Sequence, residues 1–199
     1  MKATINVLPM PEQDRAIAIP TAGGYLVAVA DGAGGKGGGA VAAGCLIAFV
    51  ANLSQETASA DWFAALCAFD DELSVRPLGG QTTGVVAFVD SKRILGASVG
   101  DSSAWLISRS GLTIDLTARQ RRRPLPCCGD ALPVQFEAER LGTRVVLASD
   151  GLFKCAPADR ICALAVRGSV VDAADALVNC LRLPSGNFQD DVAVVLISE

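Results

Sequence analysis

The sequence predicts a layered α+β fold, antiparallel sheets with helices packed outside them, on three observations. Of the 199 residues 51% are apolar and 19% charged, enough to fill a core without disulfides or structural metals. Short runs rich in Val, Ile, Ala and Leu recur along the chain, each bounded by Gly, Asp, Ser or Pro, as strands are. The helical stretches come in two groups instead of one after each strand, which argues against the β-α-β alternation of a doubly wound parallel sheet.

Taken in order, ATINVLP (3–9), RAIAIPT (15–21) and YLVAVA (25–30) are strands. Tight turns such as Thr21-Ala22-Gly23-Gly24 make these N-terminal strands pair antiparallel. Helical patterns follow over 37–53 and 57–73. The apolar stretch Ala40 to Leu53 falls short of the ~18 residues a membrane span needs and reads as a buried core helix. Asp61-Trp62-Phe63-Ala64-Ala65-Leu66 has helical, not alternating, periodicity. Strands return at 82–90, 93–100 and 103–109, and an irregular Pro- and Gly-bearing loop occupies 123–133. Strands at 134–139 and 143–149, helices at 157–166 and 170–181 and a last strand at 192–198 complete the order. No repeat or linker is visible, so residues 1–199 are expected to form a single domain.

The net charge of −4 suggests neither a nucleic-acid nor a membrane partner. The one basic run, Arg119 to Arg123, reads as a solvated loop or partner surface. MKATINVLPM lacks the apolar stretch and cleavage site of a signal peptide, so a soluble, cytoplasmic protein is expected. Seven cysteines without a C-x-x-C pair speak against structural zinc. Cys45, Cys67, Cys162 and Cys180 lie in apolar helical contexts, as small core hydrophobes do, and Cys127-Cys128 is a candidate redox pair. The chain has no histidine. His-based triads and His-ligated metals are thereby removed, and chemistry falls to carboxylates, hydroxyls, thiols, Lys and Arg.

Four aspartates stand where apolar strands end or begin. Asp31 follows VAVA, Asp101 follows GASVG, Asp150 follows VVLAS, and Asp190, with Asp191 beside it, precedes VAVVLI. Taken singly, each is equally at home as a helix cap or turn residue. Together they suit a different purpose. Clustered carboxylates raise one another's pKa, and divalent cations between them relieve the repulsion. Hard oxygen ligands select Mg²⁺ or Mn²⁺, and two such ions can activate a shared water toward a phosphoryl group. Flanking glycines such as Gly32 let backbone and ligands approach closely.

Gly32 to Gly37 also satisfies G-x-G-x-x-G, the dinucleotide fingerprint. Three features oppose that reading: Asp31 before the first glycine, glycines continuing to Gly39, and consecutive strands afterwards. A P-loop is opposed because Gly37, not Ser or Thr, follows Lys36.

In order, the chain resembles the metal-dependent serine/threonine phosphatases of the PPM (PP2C-like) family, as a minimal bacterial-type member. Glu12-Gln13-Asp14 resembles the family's N-[EQ]-D element, Asp31-Gly32-Ala33-Gly34-Gly35 its D-G-x-G-G, and Thr82-Thr83-Gly84 its S/T-T-A. Gly100-Asp101-Ser102 resembles G-D-S, Ser149-Asp150-Gly151-Leu152 resembles S-D-G-[LIV], and Asp190-Asp191-Val192-Ala193-Val194-Val195 resembles D-N-x-[ST]-x-[VI]. The resemblance implies a four-layer α-β-β-α sandwich with two antiparallel sheets, two Mn²⁺ or Mg²⁺ ions and a possible third. It implies hydrolysis of phosphoserine and phosphothreonine in proteins by a water or hydroxide bridging the ions, without a phosphoenzyme. By position, Asp31 would bridge both metals, Gly32 would lend its carbonyl, and Asp150 and Asp190 would complete the first site. Asp101 would help hold the third ion, and Asp14 would hydrogen-bond a water on a metal. The partners implied are a phosphoprotein substrate and a cognate Ser/Thr kinase.

Four departures matter. Asp191 stands where the family has Asn, leaving open whether Asp190 or Asp191 ligates. Ala33 occupies the place of a histidine general acid in eukaryotic members. No arginine precedes Arg15, although many members bind phosphate through one upstream of N-[EQ]-D. Lys36 is the candidate replacement, the alternative being a solvated lysine. The Asp101–Asp150 interval is too short for the usual flap, and 119–133 would be its remnant. A catalytically weak domain serving as a binding or regulatory module is the rival reading, fed by the absent arginine and by Asp191.

Overall fold

The computed structural model describes residues 1–8, 13–33, 37–53, 61–76, 80–120, 131–140 and 142–198. Strands β1 (Lys2–Leu8), β2 (Arg15–Pro20) and β3 (Tyr25–Ala30) are followed by helices α1 (Gly39–Asn52) and α2 (Trp62–Ser74). Then come β4 (Gly84–Val89), β5 (Arg93–Val99), β6 (Ser103–Ser108), β7 (Thr113–Asp115), β8 (Val134–Glu139) and β9 (Thr143–Ala148). Helices α3 (Asp150–Cys155), α4 (Ala158–Ala165) and α5 (Val170–Asn179) precede the last strand, β10 (Val192–Ser198).

The strands form two five-stranded sheets, ordered β1-β10-β9-β6-β7 and β2-β3-β4-β5-β8, with every pairing antiparallel. Alternation of side chains along each strand builds three apolar layers. In β3, Val27 and Val29 point between the sheets, where Val85, Ala87, Val145, Leu147, Val195 and Ile197 meet them. Leu26, Ala28 and Ala30 point the other way, onto Ala42, Leu46, Val50, Leu66 and Phe69 of α1 and α2. In β10, Val192, Val194 and Leu196 face Leu152, Ile161, Ala173 and Leu177 of α3, α4 and α5. The result is the α-β-β-α sandwich. Because both faces of β3, β4, β9 and β10 are covered, these strands read as nearly continuous apolar runs.

Local signals place the helices. Asp61 caps α2 by accepting from the Ala64 amide at 3.0 Å. Ser169 and Asp172 form a reciprocal capping box on α5. Gly37 and Gly38 enter α1 with φ of 68° and 77°, a left-handed path that glycine takes without strain.

Three expectations need correction. β1 does not join β2 and β3; it pairs with β10 in the other sheet, Lys2 opposite Ser198. Only β2 and β3 pair across the Thr21–Gly24 turn, where the Thr21 amide donates to the Gly24 carbonyl at 2.9 Å. Two elements, β7 and α3, are absent from the sequence pattern; three and six residues are too few to display a period. Helices α1 and α2 begin at Gly39 and Trp62, later than the patterns at 37 and 57. The pair Cys127-Cys128 and the arginines of 121–123 lie outside the described residues. Among the described residues, no helix is long and apolar enough to cross a membrane.

Candidate metal centre

Strand register carries the predicted aspartates to one end of the sandwich. In one sheet, Arg15 faces Ala30, Val29 faces Val85 and Gly84 faces Val99, so Asp14, Asp31 and Asp101 leave from the same edge. In the other, Val194 faces Ala148, which brings Asp150 beside Asp190 and Asp191. The two edges close around an open cavity of about 470 Å³, lined by Gln13, Gly32, Ala33, Thr83 and Lys154 together with these six aspartates.

Hydroxyl and backbone clamps hold the loops. The Thr83 amide and the Thr82 hydroxyl both donate to the Asp31 carbonyl, at 2.8 and 2.9 Å, and the Asp31 amide donates to Thr83 Oγ1 at 3.3 Å. Thr83 Oγ1 lies 2.6 Å from Ser102 Oγ, which ties the Asp31 loop to the Asp101 loop. The Ser149 hydroxyl accepts from the Ala193 amide at 2.9 Å and the Ser149 amide donates to the Ala193 carbonyl at 3.0 Å, so β9 and β10 stay zipped up to Asp150. The glycines serve this packing directly. A Cβ on Gly32 would lie 2.4 Å from the carbonyl carbon of Gly39, the first residue of α1. Contact with this helix, as well as access for a ligand, therefore requires Gly32.

One carboxylate oxygen each from Asp31, Asp101 and Asp150 lies within 4.8 Å of the others. Such crowding has an electrostatic signature. Burial, followed by the charges of Asp14 and Asp150, pushes the Asp31 carboxyl up to about 8. Burial likewise raises Asp14 to about 6 despite hydrogen bonds to Ser149 and Asp31. Asp150 is raised as well, by burial first, with Lys154 opposing. Asp14 is only 2% exposed, and its Oδ2 accepts no hydrogen bond from the described residues. An all-oxygen set with uncompensated charge and an orphaned buried acceptor is what a hard divalent cation fits.

The structure thus brings together Asp14, Asp31, Gly32, Asp101, Asp150, Asp190 and Asp191. Asp101 belongs with Asp31 and Asp150 to the close triad, and Asp190, exposed on the rim, is outside it. Asp191 accepts from the Gln13 amide at 3.1 Å, a tie between the start and end of the site. Lys36 lies outside the described residues. Arg15 donates to the Asp14 carbonyl at 2.8 Å and is not a lining residue. Sequence reasoning missed Lys154, whose ammonium pairs with Asp150 one helical turn away. Its signal was present in Asp150-Gly151-Leu152-Phe153-Lys154, an acid and a base at i,i+4.

Gly151 packs against β10 so closely that a Cβ would lie 2.3 Å from the Asp191 carbonyl oxygen. Gly151→Ala is expected to cost about 1–3 kcal/mol in chemical denaturation, as overpacking does. It should also weaken Mn²⁺ binding, because α3 moves away from the 190–192 segment.

No family model and no curated protein matches the sequence. Solved structures do. A bacterial serine phosphatase superposes with a TM-score of 0.85 at 20% identity, over 98% of this chain and 96% of that one. The Staphylococcus aureus serine/threonine phosphatase Stp1 gives 0.83 at 19% identity, over 100% and 95%. The catalytic domain of the serine/threonine phosphatase PstP, in complex with two manganese ions, gives 0.78 at 24% identity, over 98% and 96%. The two antiparallel sheets with flanking helices have the PP2C-like fold of these proteins.

Proposed function

We propose that this chain is a metal-dependent protein phosphatase that hydrolyses phosphoserine and phosphothreonine. The observation that carries the reading is the convergence of Asp31, Asp101 and Asp150, with the buried acceptor of Asp14 behind them, at the mouth of a PP2C-like sandwich. Asp31, the Gly32 carbonyl, Asp150 and Asp190 would hold two Mn²⁺ or Mg²⁺ ions, with Asp101 available to a third. Bound there, the ions supply Lewis acidity, a water of lowered pKa and positive charge opposite the phosphoryl oxygens.

The protein's own contribution is placement. Thr82, Thr83 and Ser149 fix the backbones of the ligating loops, so the carboxylates need not reorganise during reaction. Asp14, beside Asp31, would hydrogen-bond a water held at the ions. Ala33 stands where a histidine acid would and the chain has no histidine, so on this reading a water at the ions would protonate the leaving group.

On this reading residues 1–199 form one phosphatase domain with a shortened flap, acting in the cytoplasm on the product of a serine/threonine kinase. The five described cysteines, all free, suit a reducing compartment. The test is hydrolysis of an aryl phosphate and a phosphothreonine peptide with Mn²⁺ or Mg²⁺ added or chelated. Turnover that chelation abolishes and Asp150→Asn lacks is expected. Inactivity with both ions would sink the reading and favour a binding or regulatory module.

A further inference from the structure

The phosphate-binding arginine expected upstream of Asp14 is absent, and a phosphate dianion in a cavity lined by six aspartates gains from a protein cation in addition to any ions held there. Among the described lining residues the cation is Lys154. Among the described residues it is also the cation lining an adjoining cavity of about 250 Å³, whose walls include Ser103, Asp115, Thr117, Ala118 and Phe153. Lys154 therefore stands, with Asp101 and Asp150, where the two cavities meet.

Its present partner is Asp150, and the charges of Asp101 and Asp190 also act on it. The Lys154 side chain is 59% exposed while Asp150 is 13% exposed, so the ammonium approaches the cluster from the solvent side on a flexible stem. A divalent cation on Asp150 competes for the same oxygens and repels the ammonium. Asp101 and Asp190 remain near the lysine, and a phosphate dianion entering the cavity that Lys154 lines adds a doubly charged acceptor beside it.

We propose that Lys154 is the phosphate-binding residue of this site, resting on Asp150 until divalent cations occupy that carboxylate and then engaging the phosphoryl oxygens. The inference rests on the phosphatase reading, and orthophosphate, the reaction's product, tests it without turnover. Mn²⁺-loaded wild type, Lys154→Met and Lys154→Arg are titrated with orthophosphate by calorimetry, and the metal-free proteins with Mn²⁺.

Lys154→Met should bind orthophosphate about tenfold more weakly, the loss of one charge-assisted contact, while Lys154→Arg stays within about threefold of wild type. Lys154→Met should also bind Mn²⁺ several-fold more tightly, because Asp150 loses its competing partner. Unchanged orthophosphate affinity in Lys154→Met overturns the proposal, and so does weaker Mn²⁺ binding. If wild type hydrolyses no phosphomonoester yet binds orthophosphate through Lys154, the phosphatase reading falls and the lysine's role stands. If wild type turns over and Lys154→Met binds phosphate undiminished, the lysine's role falls and the phosphatase reading stands.

Discussion

Asp31→Asn should lose metal-dependent turnover by about a thousandfold or more, the rate equivalent of several kcal/mol of charge stabilisation, and yet fold. The carboxylate of Asp31 is one of three whose oxygens lie within 4.8 Å of each other, and among the described residues no cation pairs with it directly. Asparagine keeps the shape but removes the charge that would hold two ions. The fold survives because the clamps on this loop engage the Asp31 backbone: the Thr83 amide, the Thr82 hydroxyl and Thr83 Oγ1 all meet its main chain. In EDTA at pH 8, the variant should melt above wild type, since it no longer has a crowded carboxylate to ionise. Steady-state kinetics against Mn²⁺ and melting curves in chelator check both halves. Wild-type turnover in Asp31→Asn would remove the residue from the site.

The metal-free protein should lose stability as pH rises from about 4 to about 8. The sign follows from the direction of the shifts. A carboxyl whose folded pKa lies above its unfolded value binds more protons in the folded state, so folding weakens as those protons leave. Asp14 spans 3.8 to about 6 and Asp31 spans 3.8 to about 8, which makes the decline broad. Asp90, half-buried, and Asp172, exposed, are lowered chiefly by hydrogen bonds to backbone amides or a hydroxyl and act oppositely, but their effect falls below the ordinary carboxylate value and so outside this window. Excess Mn²⁺ should reverse the slope, because each proton displaced strengthens metal binding about tenfold per pH unit below its pKa. Melting temperatures at a series of pH values, with EDTA or with Mn²⁺, give the two curves. Metal-free stability that rises steadily from pH 4 to pH 8 would mean that the cluster is not frustrated.

The aspartates were legible because each sits at a change of pattern. An apolar run such as VAVA or VVLAS can stop at Asp only where the chain leaves the layered core. The sheets then do the rest, since antiparallel register brings such exits to a common edge. Contacts made by backbone across distant segments were not legible. Nothing local shows that Gly32 packs on Gly39 or Gly151 on Asp191, and the glycine run could equally be read as making way for a ligand. The placement of β1 was hidden for a similar reason. Its partner lies at the opposite end of the sequence, whereas the turn before β3 advertised itself. Lys154 escaped notice because α3 is a helix of six residues, too short to announce a face on which Asp150 and Lys154 align. The unpaired acceptor of Asp14 depends on burial by residues far away in sequence and has no local sign.

The position of β10 bears on how the protein comes into being. It is the last strand in the chain yet an interior strand of its sheet, between β1 and β9. Until it emerges from the ribosome, β1 has no hydrogen-bonded neighbour in its sheet and α3, α4 and α5 lack part of the surface on which they pack. The six aspartates of the cavity are not all in place until this strand is, because Asp190 and Asp191 directly precede it. A nascent chain stalled before Val192 should therefore be open to protease and unable to retain manganese, and release of seven more residues should convert it to the resistant, metal-binding form in one cooperative step.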